Sequence, residues 1–269
     1  MPEPRAPLVF TTDLPPLPTP AWLVPELTQL SIELEPADPE RLGRFLAILL
    51  EANNILNLTA ITDPDEAWRK HILDSLTLIP VLAEVPEGGS VADVGSGGGV
   101  PAIPLAICLP ALRFTLIEST QKKAAFLRAA ADALALTNID VINDRAENLG
   151  QNWKPIPSPA PGMSESASES CGPTREAFDA VTARALGRLN IAAELTVPLA
   201  KPGGIIALVK GEKADEELLE ARRALGLLGA VHVTTLQTPT SRIVILEKTT
   251  RTPRTYPREA GEPKRKPLT

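Results

Sequence analysis

The sequence predicts an α/β protein with a mostly parallel seven-stranded sheet, a terminal antiparallel hairpin and a group of N-terminal helices. Three observations lead to this class. From Val91 onward, short apolar runs alternate with helical segments, and only Thr238–Ser241 separates the last two runs. Before Val91, apolar residues recur at intervals of three and four, as on one face of a helix. Alternation is typical of parallel strands joined by crossover helices, whereas so short a final connection allows only antiparallel pairing.

Helical periodicity dominates the N-terminal region, where helices are predicted at 25–35, 39–56 and 64–84. The second and third begin at Asp-Pro pairs, Asp38 and Asp63 each preceding a proline that suits the first helical turn. We expect this region, 25–86, to pack on the core as a helical unit. Residues 1–24 are rich in proline and lack periodicity, which predicts a disordered extension.

The strands of the sheet are predicted at 91–94, 114–118, 139–143, 178–182, 205–209, 230–237 and 242–248. Helices fill the intervals at 100–109, 121–136, 187–200 and 214–228. Five parallel strands completed by an antiparallel hairpin differ from a plain dinucleotide-binding fold and are expected of a Rossmann-like methyltransferase domain, here 87–250. The Pro/Ser/Glu-rich segment 151–176 cannot bury a core, so we interpret it as a flexible surface insertion without a catalytic role.

Composition narrows the class of protein. Hydrophobic residues make up 43% and charged residues 22% of the 269 positions, as in an ordinary globular chain. The two cysteines, Cys108 and Cys171, and the two histidines, His71 and His232, have no metal-ligand spacing, so no metal is expected. No apolar run is long enough to cross a membrane, and the N-terminus lacks a signal pattern. We therefore expect a cytoplasmic protein that does not contact membranes.

The charge is distributed unevenly along the chain. The net charge is −6, yet the residues from Lys248 to the end include seven Lys or Arg against two Glu. The basic C-terminal tail, 251–269, either contacts nucleic-acid phosphates or serves solubility, and charge alone does not separate the two.

A glycine-rich turn follows the first predicted strand, with glycine at positions 95, 97 and 99. A chain that turns sharply from strand to helix and approaches a ligand closely requires residues without Cβ. The turn predicts a nucleotide-type cofactor at this edge of the sheet. The dinucleotide pattern G-x-G-x-x-A also fits Gly97, Gly99 and Ala102, although Pro101 and Pro104 interrupt its helix, so the glycines alone leave the cofactor open.

Carboxylates end the next two strands. Glu118 lies 23 positions after Gly95, where it could accept both ribose hydroxyls of an adenosine-type cofactor or simply begin the next helix. Asp144 follows the third strand, where it could meet an adenine edge, cap a helix, or do both.

Several segments in order resemble the bacterial small-subunit ribosomal RNA guanine-N7 methyltransferases, also called the glucose-inhibited division protein B family. The resemblance covers about 50–269, outside the 151–176 loop. Its segments are Asn57-Leu58-Thr59, His71 to Leu76 (HILDSL), Asp93 to Gly99 with Pro101, Ile103, Pro104 and Leu105, Arg145-Ala146-Glu147, Thr182 to Ala185, Lys210-Gly211, and Tyr256-Pro257-Arg258 with Ala260-Gly261 and Pro263 to Leu268.

The resemblance implies a class I methyltransferase that transfers a methyl group from S-adenosylmethionine to N7 of one guanine in 16S rRNA, free or in the small ribosomal subunit. The implied cofactor contacts are Gly95, Val100, Glu118, Ala146, Glu147 and Arg184, to which the turn adds Gly97 and Gly99. The chain departs from the family pattern at Ala102, usually glycine, at Val100, usually Phe or Leu, and at Glu259, where Arg is common.

Guanine N7 carries a free lone pair, so no general base is expected, and alignment of the reactants supplies the catalysis. Arg184 and Lys210, at the ends of two strands, are candidates for positioning the substrate. Arg184 could instead pair with a carboxylate such as Glu147, and Lys210 could be merely solvated. We interpret His71 and Asp74, three residues apart on one helix, as a structural pair, with substrate contact as the alternative.

The candidate RNA contacts all lie in the tail: Arg254, Arg258, Lys264, Arg265 and Lys266. We expect a monomer. Three other hypotheses remain: a methyltransferase for a small molecule or protein, a non-enzymatic rRNA-binding assembly factor, and a nicotinamide-dependent oxidoreductase. The basic tail disfavours the first, the intact glycine turn the second, and the lack of a placed proton donor the third.

Overall fold

The computed structural model describes residues 9–151 and 174–269. Its N-terminal region contains short and long helices that together cover one face of the sheet. They are α1 (Leu23–Gln29), α2 (Asp38–Leu56), α3 (Pro64–Ala67), a π-helical turn (Trp68–Leu73), α4 (Asp74–Leu76) and α5 (Ile79–Leu82). The side chains of Leu42, Phe45, Leu46 and Leu49 on α2 are buried as the periodicity predicted, and α2 packs against two helices of the sheet domain.

The segment before α1 differs from the prediction of a disordered 1–24 extension. The ring of Phe10 packs edge-on against Phe126, with ring centroids 5.7 Å apart. The backbone N–H of Leu17 donates to the carbonyl of Gly43 at 3.1 Å, an approach that any side chain at Gly43 would block. Residues 9–24 are therefore attached to the helical layer, and 1–8 lie outside the described residues.

The sheet has the seven strands that the sequence predicted, in the order β3-β2-β1-β4-β5-β7-β6. The strands are β1 (Ser90–Val94), β2 (Arg113–Ile117), β3 (Ile139–Ile142), β4 (Phe178–Arg184), β5 (Ala200–Lys210), β6 (Ala230–Gln237) and β7 (Arg242–Lys248). The helices after them are α6 (Ala102–Cys108), α7 (Gln121–Ala133), α8 (Ala146–Gln151), α9 (Leu189–Thr196), α10 (Ala214–Leu228) and α11 (Glu262–Arg265). The predicted α/β class with a terminal antiparallel hairpin is confirmed, since β7 pairs antiparallel with both β5 and β6.

Strand order determines where a ligand can bind. The chain proceeds from β1 to β2 and β3 on one side, then returns to place β4 on the other side of β1. The connections after β1 and β4 therefore diverge, and a crevice opens between them at the carboxyl edge of the sheet. One apolar core lies under the N-terminal helices with α6 and α7, and the other lies under α9 and α10.

The strand boundaries differ most from the prediction at β5, where preceding residues extend the strand. β5 begins at Ala200, before the predicted 205–209, because Lys201, Pro202 and the following glycines continue the extended backbone. The predicted 151–176 insertion lies largely outside the described residues, but Thr174 and Arg175 are buried and belong to the packed domain.

Among the described residues, no helix is long and apolar enough to cross a membrane. The described parts of the chain also contain no His, Cys, Asp or Glu cluster able to hold a metal ion.

Candidate functional site

A cleft of about 430 Å³ lies at the carboxyl edge of the sheet, between the ends of β1, β2 and β4. This is the crevice that the strand order opens. It is lined by Val94, Gly95, Ile117, Ser119, Asp144, Arg145, Ala146, Glu147, Ala185, Leu186, Gly187, Ile191, Leu195, Gly261, Pro263 and Lys264. Of the predicted cofactor contacts, it brings together Gly95, Ala146 and Glu147.

The glycine turn connects β1 to α6, and of its three predicted glycines Gly95 lines the cleft. Gly95, Gly97 and Gly99 have φ of +73°, +53° and +85°, values that side-chain-bearing residues rarely adopt. A Cβ at Gly99 would lie 2.5 Å from Ile103, so this position requires glycine for packing as well. At Gly97 the space is open, because the nearest atom to a Cβ would be the Gly95 carbonyl at 3.7 Å. The turn therefore leaves room beside Gly97 while its backbone stays tightly folded.

Glu118 lies immediately after β2 and holds this turn. Its Oε2 accepts the Gly97 N–H at 3.0 Å and its Oε1 accepts the Thr120 N–H at 2.7 Å. The side chain is buried, so the carboxylate is oriented by backbone donors rather than by solvent. The sequence placed Glu118 correctly beside the glycine turn; its contact with a ribose stays a prediction.

Asp93, the penultimate residue of β1, carries an unsatisfied buried oxygen. Its Oδ1 accepts the Thr182 hydroxyl at 2.8 Å, whereas Oδ2 has no hydrogen-bond partner among the described residues. Burial, with a smaller contribution from the Glu118 charge, raises the pKa of this carboxyl to about 6. A buried acid with a free acceptor is stabilised by positive charge nearby, although Asp93 precedes Val94 and Gly95 in sequence and does not itself line the cleft.

The β3 side of the cleft is formed by the start of α8 and by the C-terminal tail. Ala146 and Glu147 begin α8, and the Glu147 Oε1 accepts the backbone N–H of Gly261 at 2.8 Å. The Arg145 guanidinium lies 3.8 Å from the same carboxylate and is half exposed. Glu147 therefore joins the tail to the cleft.

Arg184 ends β4 and pairs with Asp74 rather than with Glu147, the partner proposed as its alternative. Its Nη1 donates to the Lys70 carbonyl at 2.6 Å and lies 3.4 Å from Asp74 Oδ2. Asp74 Oδ1 accepts the Thr240 hydroxyl at 2.5 Å. One buried carboxylate thus links the N-terminal helices, β4 and the β6–β7 turn.

His71 supports the structural interpretation of this helical segment. Its Nε2 lies 2.9 Å from Thr59 Oγ1, and Nδ1 has no partner within the described ranges. Burial and the nearby Arg184 charge lower the pKa of His71 to about 4, so the ring is neutral at physiological pH.

The predicted cofactor contacts and substrate-positioning residues that do not line the cleft are Gly97, Gly99, Val100, Glu118, Arg184 and Lys210. Val100 packs against the core beneath the N-terminal helices. The Lys210 ammonium lies 2.6 Å from Glu217 and donates to the Gly187 carbonyl at 2.5 Å. Since Gly187 lines the cleft, Lys210 fixes the loop after β4 rather than facing solvent.

The five tail cations separate into different environments. Arg258 is engaged by Glu194, to which its Nη2 donates at 2.6 Å, so its proposed role as an RNA contact gives way to a structural one. Lys264 is exposed at the rim of the cleft. Arg254, Arg265 and Lys266 are also exposed; Arg265 is the last residue of α11 and Lys266 follows it.

Sequence reasoning missed the apolar side of the cleft. Leu186, Ile191 and Leu195 line it, and Gly261 approaches from a distant part of the chain. Leu186 is the second residue after β4, so the rule that ligands bind at carboxyl ends of strands could have identified it. Ile191 and Leu195, four residues apart on one face of α9, were indistinguishable from ordinary core residues.

Comparison with known proteins identifies the family to which this chain belongs. The sequence model described as rRNA small subunit methyltransferase G matches residues 38–244. A protein of that name from Sorangium cellulosum is 47% identical over 95% of this chain and 98% of its own length. Another from Staphylococcus carnosus is 37% identical over 92% of this chain and 98% of its own.

Among solved structures, cofactor-bound Rv0187 from MTB aligns with a TM-score of 0.49 and 20% identity, over 77% of this chain and 90% of that one. The family match covers the glycine turn and the Arg184–Asp74 link, whereas the Gly261, Pro263 and Lys264 side of the cleft lies beyond residue 244. The chain belongs to the ribosomal RNA small subunit methyltransferase G family.

Proposed function

We propose that this protein transfers the methyl group of S-adenosylmethionine to N7 of one guanine in 16S rRNA, acting as a monomer in the cytoplasm. The observation that carries the proposal is the cleft at the switch point of the sheet, lined by Gly95 of the glycine turn, in a chain of this family. The curated relatives bear the name of a small-subunit rRNA methyltransferase.

The residues present fit this cofactor. S-adenosylmethionine carries a sulfonium and an ammonium, and the free Oδ2 of buried Asp93 is suited to such positive charge. The open space beside Gly97 allows the close approach that a nucleoside requires. Leu186, Ile191 and Leu195 offer an apolar surface for an adenine face.

When bound, the cofactor supplies an electrophilic methyl group. The chain itself has to align this group with guanine N7, whose lone pair needs no deprotonation, so the absence of an acid–base pair from the proposed mechanism is chemically reasonable. Lys210 holds the Gly187 carbonyl, and Arg184 holds the end of β4 against the Lys70 carbonyl. Both residues thereby orient the loop 185–187 at the cleft.

The exposed cations at the cleft rim favour an RNA substrate over a small molecule. Lys264 and Arg265 belong to α11 and Lys266 follows it, while Arg145 lines the same cleft. In a chain of net charge −6, this local positive surface would bind phosphates beside the site of methyl transfer.

Replacing Lys264, Arg265 and Lys266 together by Gln is expected to weaken RNA binding and to lower the slope of log affinity against log salt by about 2, since each single-stranded phosphate contact contributes about 0.7. Fluorescence anisotropy with a fragment of 16S rRNA at several salt concentrations measures both. The double variant Arg222→Gln and Arg223→Gln, on exposed α10 positions, is the control. An unchanged slope in the triple variant would remove these cations from the RNA interface.

Cofactor affinity is expected to rise as the pH increases from 5 to 7. The pKa of Asp93 is about 6 in the free protein, so the carboxylate that would attract a cation forms over this range. The effect of Asp93 on folding stability has the opposite pH trend to its effect on cofactor affinity. Because the pKa of Asp93 is higher in the folded than in the unfolded chain, the group stabilises the fold fully below about pH 4, and this stabilisation is lost as the pH rises through about 6.

Calorimetric titration with S-adenosylmethionine at several pH values tests this expectation. Asp93→Asn should flatten the profile, and S-adenosylhomocysteine, which lacks the sulfonium charge, should show a weaker dependence. Equal pH profiles for the wild type and Asp93→Asn would show that Asp93 does not face the cofactor.

The function itself is tested by methyl transfer from labelled S-adenosylmethionine. Incubation with small ribosomal subunits and with protein-free 16S rRNA, followed by chemical cleavage at N7-methylguanine, should reveal one modified position. Label in protein or small molecules but not in rRNA would contradict the proposal. Cofactor binding without any transfer to these RNA substrates would favour the non-enzymatic assembly factor.

A further inference from the structure

The C-terminal residues 252–268, here called the strap, return from the end of β7 across the carboxyl edge of the sheet. They are attached by a series of polar side chains from the main domain. Arg175 donates to the carbonyls of Thr252 and Tyr256 at 2.7 and 2.6 Å. Further along, Gln151 donates to the Pro257 carbonyl and Asn190 to the Leu268 carbonyl, each at 2.8 Å. The strap is therefore a fixed part of the domain and not a free basic tail.

The strongest attachment is the pair formed by Glu194 and Arg258. Glu194 lies on α9 and is fully buried, with 0% of its surface exposed. It accepts the Arg258 backbone N–H at 2.9 Å and the guanidinium through Nε at 2.8 Å and Nη2 at 2.6 Å. These hydrogen bonds raise the pKa of Arg258 above its ordinary value, so the cation persists at any physiological pH.

The part of the strap beyond this pair forms a wall of the cleft. Gly261, Pro263 and Lys264 line it, and the Gly261 N–H donates to Glu147 at the start of α8. On α9, Ile191 and Leu195 line the same cleft and flank Glu194 in sequence. A single helix therefore both anchors the strap and supplies the apolar surface that the strap faces.

We propose that the strap is a structural wall of the cofactor pocket and that Glu194, through Arg258, is a positioning residue for cofactor binding. The identity of the cofactor rests on the proposed function, whereas the wall rests on the contacts above. The strap then contributes to cofactor affinity before any RNA is present.

A chain ending at Ala260 tests the wall directly. It retains the Glu194–Arg258 pair but lacks Gly261, Pro263 and Lys264, so Glu147 loses the hydrogen bond from the Gly261 N–H. Calorimetry with S-adenosylmethionine and S-adenosylhomocysteine, without RNA, should show affinities lower by about tenfold. Gly261→Ala is a milder variant, because φ there is +84° and the nearest atom to a Cβ is Arg145 Nη1 at 3.8 Å. When the strained backbone at position 261 relaxes, its N–H should move away from Glu147. The affinities for S-adenosylmethionine and S-adenosylhomocysteine should then both fall severalfold.

The anchor is tested by the double variant Glu194→Gln with Arg258→Gln, which removes both charges together. The matched control is Asp179→Asn with Lys201→Gln, a pair separated by 2.8 Å near the start of β4, at the opposite edge of the sheet. Both doubles should lower the unfolding midpoint, but only the strap double should lower cofactor affinity, by about fivefold to tenfold.

Wild-type cofactor affinity in the folded Ala260-terminated chain and in Gly261→Ala would overturn the proposal. If the shortened chain does not fold, Gly261→Ala decides alone. Failure of the wild-type protein to bind the cofactor would instead contradict the proposed function, so the two failures are distinguishable.

Discussion

Replacing Gly97 by Asp is expected to lower cofactor affinity by at least about a hundredfold while leaving the fold intact. The backbone at Gly97 has a φ of +53°, which Asp adopts more readily than most residues, and a Cβ there has no neighbour closer than 3.7 Å. The open space, however, is the space that the cofactor would use. The new carboxylate would also lie beside Glu118, whose Oε2 accepts the Gly97 N–H at 3.0 Å.

The repulsion between these two carboxylates is present with and without the cofactor, so the loss of affinity comes from the new side chain occupying the space beside the turn. Calorimetric titration measures the affinity, and thermal unfolding verifies the fold. Gly88→Asp is the matched control, since Gly88 also has a positive φ of +74°, has open space around it, and precedes β1 at the opposite edge of the sheet. If both variants bind the cofactor as the wild type does, the glycine turn is not its site.

Arg184→Ala is expected to lower the free energy of unfolding by about 3 kcal/mol, because it leaves the Asp74 carboxylate buried without its cation. Only 4% of the Asp74 side chain is exposed, against 23% of Arg184, so most of the cost arises from the stranded carboxylate. Methyl transfer should fall as well, because the end of β4 and the loop at the cleft lose their attachment to the Lys70 carbonyl.

A double-mutant cycle with Asp74→Asn separates the pair from its surroundings. We expect a coupling energy of about 1 to 3 kcal/mol from urea unfolding, since the two residues share one network. The exposed pair Arg188–Glu220, with a 2.9 Å contact, is the control, and its loss should cost less than about 1 kcal/mol. Additive effects of the Arg184 and Asp74 substitutions would show that the ion pair does not unite the three elements.

The sequence predicted the sheet well because each strand is a short apolar run between turn-forming residues. The runs at 230–237 and 242–248 correspond to β6 and β7 without change, since a four-residue connection leaves one possible pairing. The start of β5 at Ala200 was not predictable, because glycine and proline around 202–204 indicate a turn unless a neighbouring strand fixes them. Likewise, Phe10 and Leu17 have no periodic neighbours and are ordered only by contacts with residues far along the chain.

The site residues show the same difference between features that the local sequence predicts and features that only distant contacts determine. Gly95 and Glu118 were identifiable because each follows a strand directly and carboxyl ends of parallel strands meet at one edge, whereas Ala146 and Glu147 were implied by the family resemblance. The partner of Arg184 was not identifiable, since Asp74 is 110 positions away and Glu147 lies closer in sequence. A charge pattern indicates that a cation needs a partner but not which carboxylate the fold brings to it.

By itself, the sequence determined the α/β class, the family and the glycine turn that marks the cofactor edge, because these depend on local periodicity and on short motifs. Only the tertiary structure decided the role of the tail. Its cations looked equivalent as a run of basic residues, yet Arg258 is bound to buried Glu194 while Lys264 lies at the rim of the cleft. The physical reason is that charge is a property of the residue, whereas burial and pairing are properties of the packed chain.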